Sequence, residues 1–321
     1  MSYTFQTYII NGRETYLYGE RRAFSPWETK SDFPFPESLM RLVYLDIGKL
    51  EPLFQKMDKA LLSLFEYKES QYADVILSCL EDLASVHIYF RLLQLDWKQK
   101  LTQAAERKYE NASMLLPRKQ LSHIPSNLDT MQKQIKGLFA AVLDMDSKKP
   151  GTVSEKMVSY YRQKEKAPLS LFRFQPQSVG FELVGDCFTE TLYPKDIYDL
   201  IDFHLRQCIR QEIRMRRCKN CGKFFAVTTR SSAEYCSHPF DEKGRSCKEI
   251  ASILQWNRTK GEDAIYKAFR KEYKKRFARM NAGTLDANQF YQWSERAREK
   301  KAQCDRGEIG LDSFLRWLAD I

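Results

Sequence analysis

Four of the chain's eight cysteines lie within 30 residues of one another, at positions 218, 221, 236 and 247. Two cysteines separated by two residues form a knuckle whose thiolates can meet on one ion, and Gly222 behind them supplies a backbone free to turn back on itself. Cys236 and Cys247 follow after spacers of 14 and 10 residues, enough to complete a tetrahedral set. Cys218, Cys221, Cys236 and Cys247 are therefore the expected ligands of a Zn2+ ion. His238, two residues after Cys236, is a possible substitute for Cys247, although Ser-His-Pro also suits a surface turn. A four-sulfur shell leaves no open position, so the expected zinc is structural. The remaining cysteines, Cys79, Cys187, Cys208 and Cys304, are scattered singly. A redox dithiol would close a strand and open a helix, whereas here a helix end precedes Cys218 and a strand-like Phe224–Thr228 follows it.

Around this cluster the pattern is mainly helical, an α+β chain with bundle-like halves. Residues 3 to 24 place Asn11-Gly12 between β-rich flanks, which predicts a type I′ hairpin. Residues 25–36 are proline- and aromatic-rich and suit a strap. From Pro36 the spacing turns helical, and residues 70 to about 111 read as one long helix or a kinked pair with His87 inside its apolar stripe, a core histidine. Ser147-Lys-Lys-Pro-Gly-Thr is the strongest linker signal and predicts two domains, 1–150 and 151–321. Past it come a short helix near 153–163, strands at 169–174 and 181–192 forming a small central sheet, and a helix opened by Pro194. The cluster then makes a zinc-ribbon or treble-clef-like module over 218–247, with helices to the C-terminus. No apolar run reaches about 18 residues and no signal-peptide pattern opens the chain, so a soluble protein without membrane contact is expected.

Charge suggests a partner. Arg206, Arg210, Arg214 and Arg217 recur at helical steps and would share one face running into Cys218. Residues 218–321 hold 21 Lys plus Arg against 14 Asp plus Glu, so most of the net charge of +10 lies in the last third. The expected helix after Gly261 carries Lys267, Lys271, Lys274 and Lys275 interleaved with Phe and Tyr, as backbone binding with base stacking would need. The same pattern describes an ordinary exposed basic helix. His204 and Cys208 have metal-competent spacing but sit on the apolar face. Phe290, Trp293, Phe314 and Trp317 read as core anchors.

The cysteine motif with its Cys-Gly-Lys-Phe-Phe and Tyr-Cys contexts, together with Tyr266-Lys-Ala-Phe, Phe290-x-x-Trp293 and Phe314-x-x-Trp317, resembles a bacterial family known only as a domain of unknown function, DUF6076. That resemblance covers roughly Phe181 to Trp317 and implies a bacterial cytoplasmic protein with a zinc site. A weaker similarity joins the module to CGNR-type zinc fingers, treble-clef-like DNA binders, but Lys-Glu-Ile follows Cys247 where Gly-Asn-Arg would stand. The leading expectation is a zinc-containing nucleic-acid-binding protein, regulatory or mobile-element associated. Its alternative is a zinc-stabilised protein-interaction module. No catalytic constellation is visible; Asp241, Glu242 and Glu249 are acidic groups near the cysteines, but a metal saturated by four thiolates gives them no activated water, so an enzyme is not expected.

Overall fold

The computed structural model describes residues 2–21, 29–147, 149–162, 170–228, 231–251, 253 and 263–319. Helices predominate, with one five-stranded and one two-stranded sheet, a mainly α architecture with α+β character. The chain divides into two compact units. Unit 1 comprises Met1–Cys218 and Gly222–Glu234; unit 2 comprises Lys219–Cys221 and Tyr235–Ile321. The division thus falls at the cysteine knuckle, about 70 residues beyond the linker signal at Ser147 to Thr152.

In unit 1, β1 (Ser2–Ile10) and β2 (Arg13–Arg21) pair in the register Ile10↔Arg13. Asn11 and Gly12 between them have φ of 52° and 71°, the two positive values a type I′ turn demands. Part of the expected strap, Thr29–Pro34, is instead strand β3, paired with β2; residues 22–28 lie outside the described residues. The central strands β4 (Val179–Val184) and β5 (Cys187–Leu192) do not form a sheet of their own. β5 pairs with β1 through Thr7↔Leu192, giving the antiparallel order β3-β2-β1-β5-β4. One core spans both sides of the linker, from Phe5 through Leu200 to Phe224. Alternation along a strand specifies a buried face but not a neighbour, so the pairing across about 180 residues was not legible. The strand expected at 169–174 is absent from its described residues, 170–174.

The helices of unit 1 are α1 (Glu37–Val43), α2 (Glu51–Tyr67), α3 (Ser70–Val86), α4 (Ile88–Glu106), α5 (Ala112–Leu115), α6 (Arg118–Ser122), α7 (Ile124–Leu138), α8 (Val153–Arg162) and α9 (Ile197–Arg210). The apolar stripe beginning at Ser70 is a kinked pair. His87 breaks it with φ −150° and ψ 137°, and its Nδ1 caps α4 by accepting from the Tyr89 N–H at 3.2 Å. α9 begins three residues after Pro194, because the Asp196 carboxylate accepts from the N–H groups of Tyr198 and Asp199 and sets the boundary.

Unit 2 has its own core. After Asp263, whose carboxylate caps the helix by accepting from Tyr266 N–H, come α10 (Ala264–Asn281), α11 (Ala287–Asp305) and α12 (Leu311–Ala319). Phe290, Trp293, Phe314 and Leu318 are buried between them, with Cys304 alongside. The anchor reading of Phe290, Trp293 and Phe314 thus describes this core. Of the helix expected from Lys248 to Trp256, residues 252 and 254–256 lie outside the described residues; residues 248–250 form a turn, and Ala251 and Ile253 are helical. Among the described residues no helix is long and apolar enough to cross a membrane.

Candidate metal centre

Two short strands, β6 (Met215–Arg217) and β7 (Phe224–Ala226), present the first pair of cysteines. They pair as Arg217↔Phe224, and the six residues between them form the knuckle. Its backbone closes on itself: Cys218 N–H donates to Lys223 O and Gly222 N–H to Cys218 O, both at 2.9 Å. Gly222 sits at φ 72°, the left-handed region that a side chain would strain.

The chain returns to the site through a second turn. Pro239 bridges Ser246, and Phe240 N–H donates to Arg245 O. Asp241 folds this turn by accepting from the N–H groups of Lys243 and Arg245 and from the Arg245 guanidinium. These backbone bonds, foremost that from Arg245, hold its carboxyl below the usual range. Cys236 and Cys247 flank this turn, and Lys248 N–H donates to Cys236 O at 2.9 Å.

The four Sγ atoms of Cys218, Cys221, Cys236 and Cys247 all lie within 4.8 Å of one another, and Cys221 and Cys236 are 3.6 Å apart. A tetrahedron with metal–sulfur bonds of about 2.3 Å has edges of about 3.8 Å, so these sulfurs can hold a metal ion. Cys218, Cys236 and Cys247 are buried, and Cys221 is partly so. His238 is not among the residues that converge there.

Three supporting residues, Asn220, Ser246 and Arg216, were missed in the sequence. Asn220 Nδ2 donates to Cys247 Sγ at 3.3 Å and so helps to orient that side chain. Ser246 and Glu249 form a reciprocal box: Ser246 N–H and Oγ donate to Glu249 Oε2, and Glu249 N–H donates to Ser246 Oγ. Those bonds lower the Glu249 pKa. The Ser-x-x-Glu spacing was the available signal. Asp241 and Glu249 are therefore turn and cap residues. Arg216 is the third. Its guanidinium pairs with Asp146 through two bonds of 2.8 Å and donates to the carbonyls of Ser231 at 2.7 Å and Ala233 at 2.9 Å, holding the segment that precedes Cys236.

With the cluster's geometry established, similarity adds one fact. Residues 181–310 match a family of unknown function, DUF6076. The matched stretch contains most of β4, all of β5 and α9, the four clustered cysteines, and α10 and α11 of unit 2. No curated protein and no solved structure matches the chain.

The arginine stripe does not form. α9 stops at Arg210, Glu212 turns the chain with φ 49°, Arg214 lies beyond the helix, and Arg217 belongs to β6. Arg206 is ion-paired with Asp202 and stacks over Phe174, while Arg210 pairs with Glu190 at 2.5 Å. Arg217 covers the Phe224 ring at 4.3 Å. On α10, Lys275 approaches Glu272 at 3.5 Å, whereas Lys267, Lys271 and Lys274 share an exposed face. The aromatics Phe269 and Tyr273 between them pack into the unit 2 core, so they are not free to stack on bases. His204 and Cys208 are fully buried in unit 1, a core pair without metal geometry.

Proposed function

We propose that Cys218, Cys221, Cys236 and Cys247 hold one structural Zn2+ and that unit 2 is a nucleic-acid-binding module. Four thiolates would saturate the ion, leaving no coordinated water to activate, so the metal would contribute folding free energy and not catalysis. The observation that carries the binding reading is the exposed face of Lys267, Lys271 and Lys274 on α10, with no ion pair to a described acidic residue. Neighbouring cations at three- and four-residue steps suit successive phosphates. Arg206, Arg210 and Lys275 are engaged with carboxylates and are left out of this surface.

Metal content and electrophoretic mobility of mixed DNA and RNA probes, measured on one preparation at low and physiological salt, test the proposal. One zinc per chain and a salt-sensitive shift that is weakened in K267E/K271E/K274E are expected. The log–log salt slope should flatten by about 0.9 for each phosphate that the variant no longer neutralises. A shift unchanged by the triple reversal, or the absence of any shift at low salt, would sink the nucleic-acid reading.

A second reading, a zinc-stabilised protein-interaction module, rests on β4 and β5. Phe181, Leu183 and Phe188 are 70%, 61% and 65% exposed, and the two phenyl rings stack at 5.8 Å. Apolar residues clustered in this way are characteristic of protein contact surfaces. Partner capture that persists in the triple-lysine variant and disappears in F181S/F188S would favour it.

A further inference from the structure

Unit 1 contains a cavity of about 530 Å³ where α4, α6, α7 and the start of α9 meet. Its size falls within the roughly 300–1,000 Å³ typical of small-molecule sites. The lining is apolar at its base, with Leu92, Leu121, Ile124 and Ile197 all buried. Trp97 belongs to the same wall. Only 2% of it is exposed, and its indole N–H donates to no acceptor among the described residues. The Trp97 nitrogen is not among the buried unpaired atoms, so this donor keeps accessible surface, and on a cavity wall it has room for an acceptor brought by a ligand.

Charge around the opening defines that acceptor. The two lining carboxylates are already engaged: Asp96 binds Lys100 at 2.6 Å, and Asp196 caps α9. Lys119 and Lys195 also line the cavity, and neither ammonium has an acidic partner among the described residues. A neutral apolar guest would make no use of the two solvent-facing lysines or of the indole N–H. A phosphate alone would not use the apolar base.

We infer that this cavity binds a small carboxylate with an apolar body, the carboxylate facing Lys119, Lys195 and Trp97 Nε1 and the hydrocarbon lying on Leu92, Leu121 and Ile124. Charge-assisted hydrogen bonds to the carboxylate distinguish it from an uncharged analogue of the same shape.

Titration calorimetry on the full chain decides the matter, with octanoate and cinnamate as aliphatic and aromatic probes and their amides as uncharged counterparts. At least one carboxylate should bind once per chain, about tenfold or more tightly than its amide. K119A/K195A changes only exposed side chains; it should bring the carboxylate down to the affinity of the amide and leave the amide unaffected. W97F, which keeps the ring and removes the donor, should weaken the carboxylate several-fold. Failure of both carboxylates to bind, equal affinity for carboxylate and amide, or carboxylate binding unchanged in K119A/K195A would each overturn the assignment.

Discussion

Tyr16 and His204 are 188 residues apart in the chain, yet their rings stack at 5.6 Å with an interplanar angle of 19°, and the Tyr16 hydroxyl lies 2.9 Å from His204 Nε2. The partners specify the protons. His204 Nδ1–H donates to Leu200 O at 2.8 Å, so Nε2 accepts from Tyr16. Ser38 Oγ lies 2.6 Å from Tyr16 Oη and 3.2 Å from Tyr89 Oη, which aligns Tyr89, Ser38 and Tyr16 as a relay of donors ending on a neutral imidazole. Glu14, fully buried, accepts from Ser38 N–H at 2.6 Å, and its other oxygen is 3.5 Å from His204 Nε2.

This buried network makes stability depend on pH in two opposing ways. Burial pushes Glu14 up to about 8, against the lowering effect of the Ser38 bonds, so between 4.5 and 8 the folded chain keeps a proton the unfolded chain releases, and stability falls as pH rises. Burial pushes His204 and His87 down to about 4, with the carbonyl bonds to Leu200 and Ser38 opposing it. Between about 4 and 6.5 the unfolded chain therefore binds the extra protons, and stability rises with pH. Two histidines outweigh one glutamate below about 6.5, so urea midpoints should peak near pH 6.5. In E14Q the decline from pH 6.5 to 8 should flatten; a decline of unchanged slope would show that another group causes it.

Cysteine substitutions should divide sharply. Serine at Cys218, Cys221, Cys236 or Cys247 should release the bound metal and lower the melting temperature, because removing one ligand from a closed shell forfeits much of the binding free energy linked to folding. Cys304→Ser, in the unit 2 core, should retain full metal content by elemental analysis. Metal retained in C236S would argue against the cluster as the ligand set.

Arg216 should behave as an anchor that lysine cannot replace. A planar fork meets Asp146, Ser231 O and Ala233 O together, a pattern a single ammonium does not reproduce. R216A should cost about 2 kcal/mol of stability, the usual scale for hydrogen bonds to a charged group, and R216K should recover less than half of it. Denaturant titration gives both values, and full recovery by lysine would show that charge alone matters.

In unit 2, Phe314 is fully buried among Phe290, Trp293 and Leu318. Phe314→Ala should cost about 3–5 kcal/mol, the typical range for a large buried aromatic. Hydrogen exchange should reveal the weakening first in α10, α11 and α12, while protection of β1 and β2 persists. Uniform loss of protection across the chain would mean that the two units melt as one.

Local chemistry was readable in advance. Asn11-Gly12 specified a turn because only a few residues tolerate two consecutive positive φ angles, and the cysteine spacing specified a cluster because thiolates converging on a metal are the common use of such a pattern. The predominance of helix and the inward-facing Phe290, Trp293 and Phe314 followed from periodicity. Tertiary structure decided what spacing does not encode. Arg206 and Arg210 read as a free cationic face until Asp202 and Glu190 were found to neutralise them, and Glu212 ended the helix that would have extended the stripe. The joining of β5 to β1 and the assembly of Glu14, Ser38, Tyr89 and His204 around Tyr16 depend on contacts between distant segments. Those contacts are selected by shape and buried polar satisfaction across the whole core, which no local pattern contains.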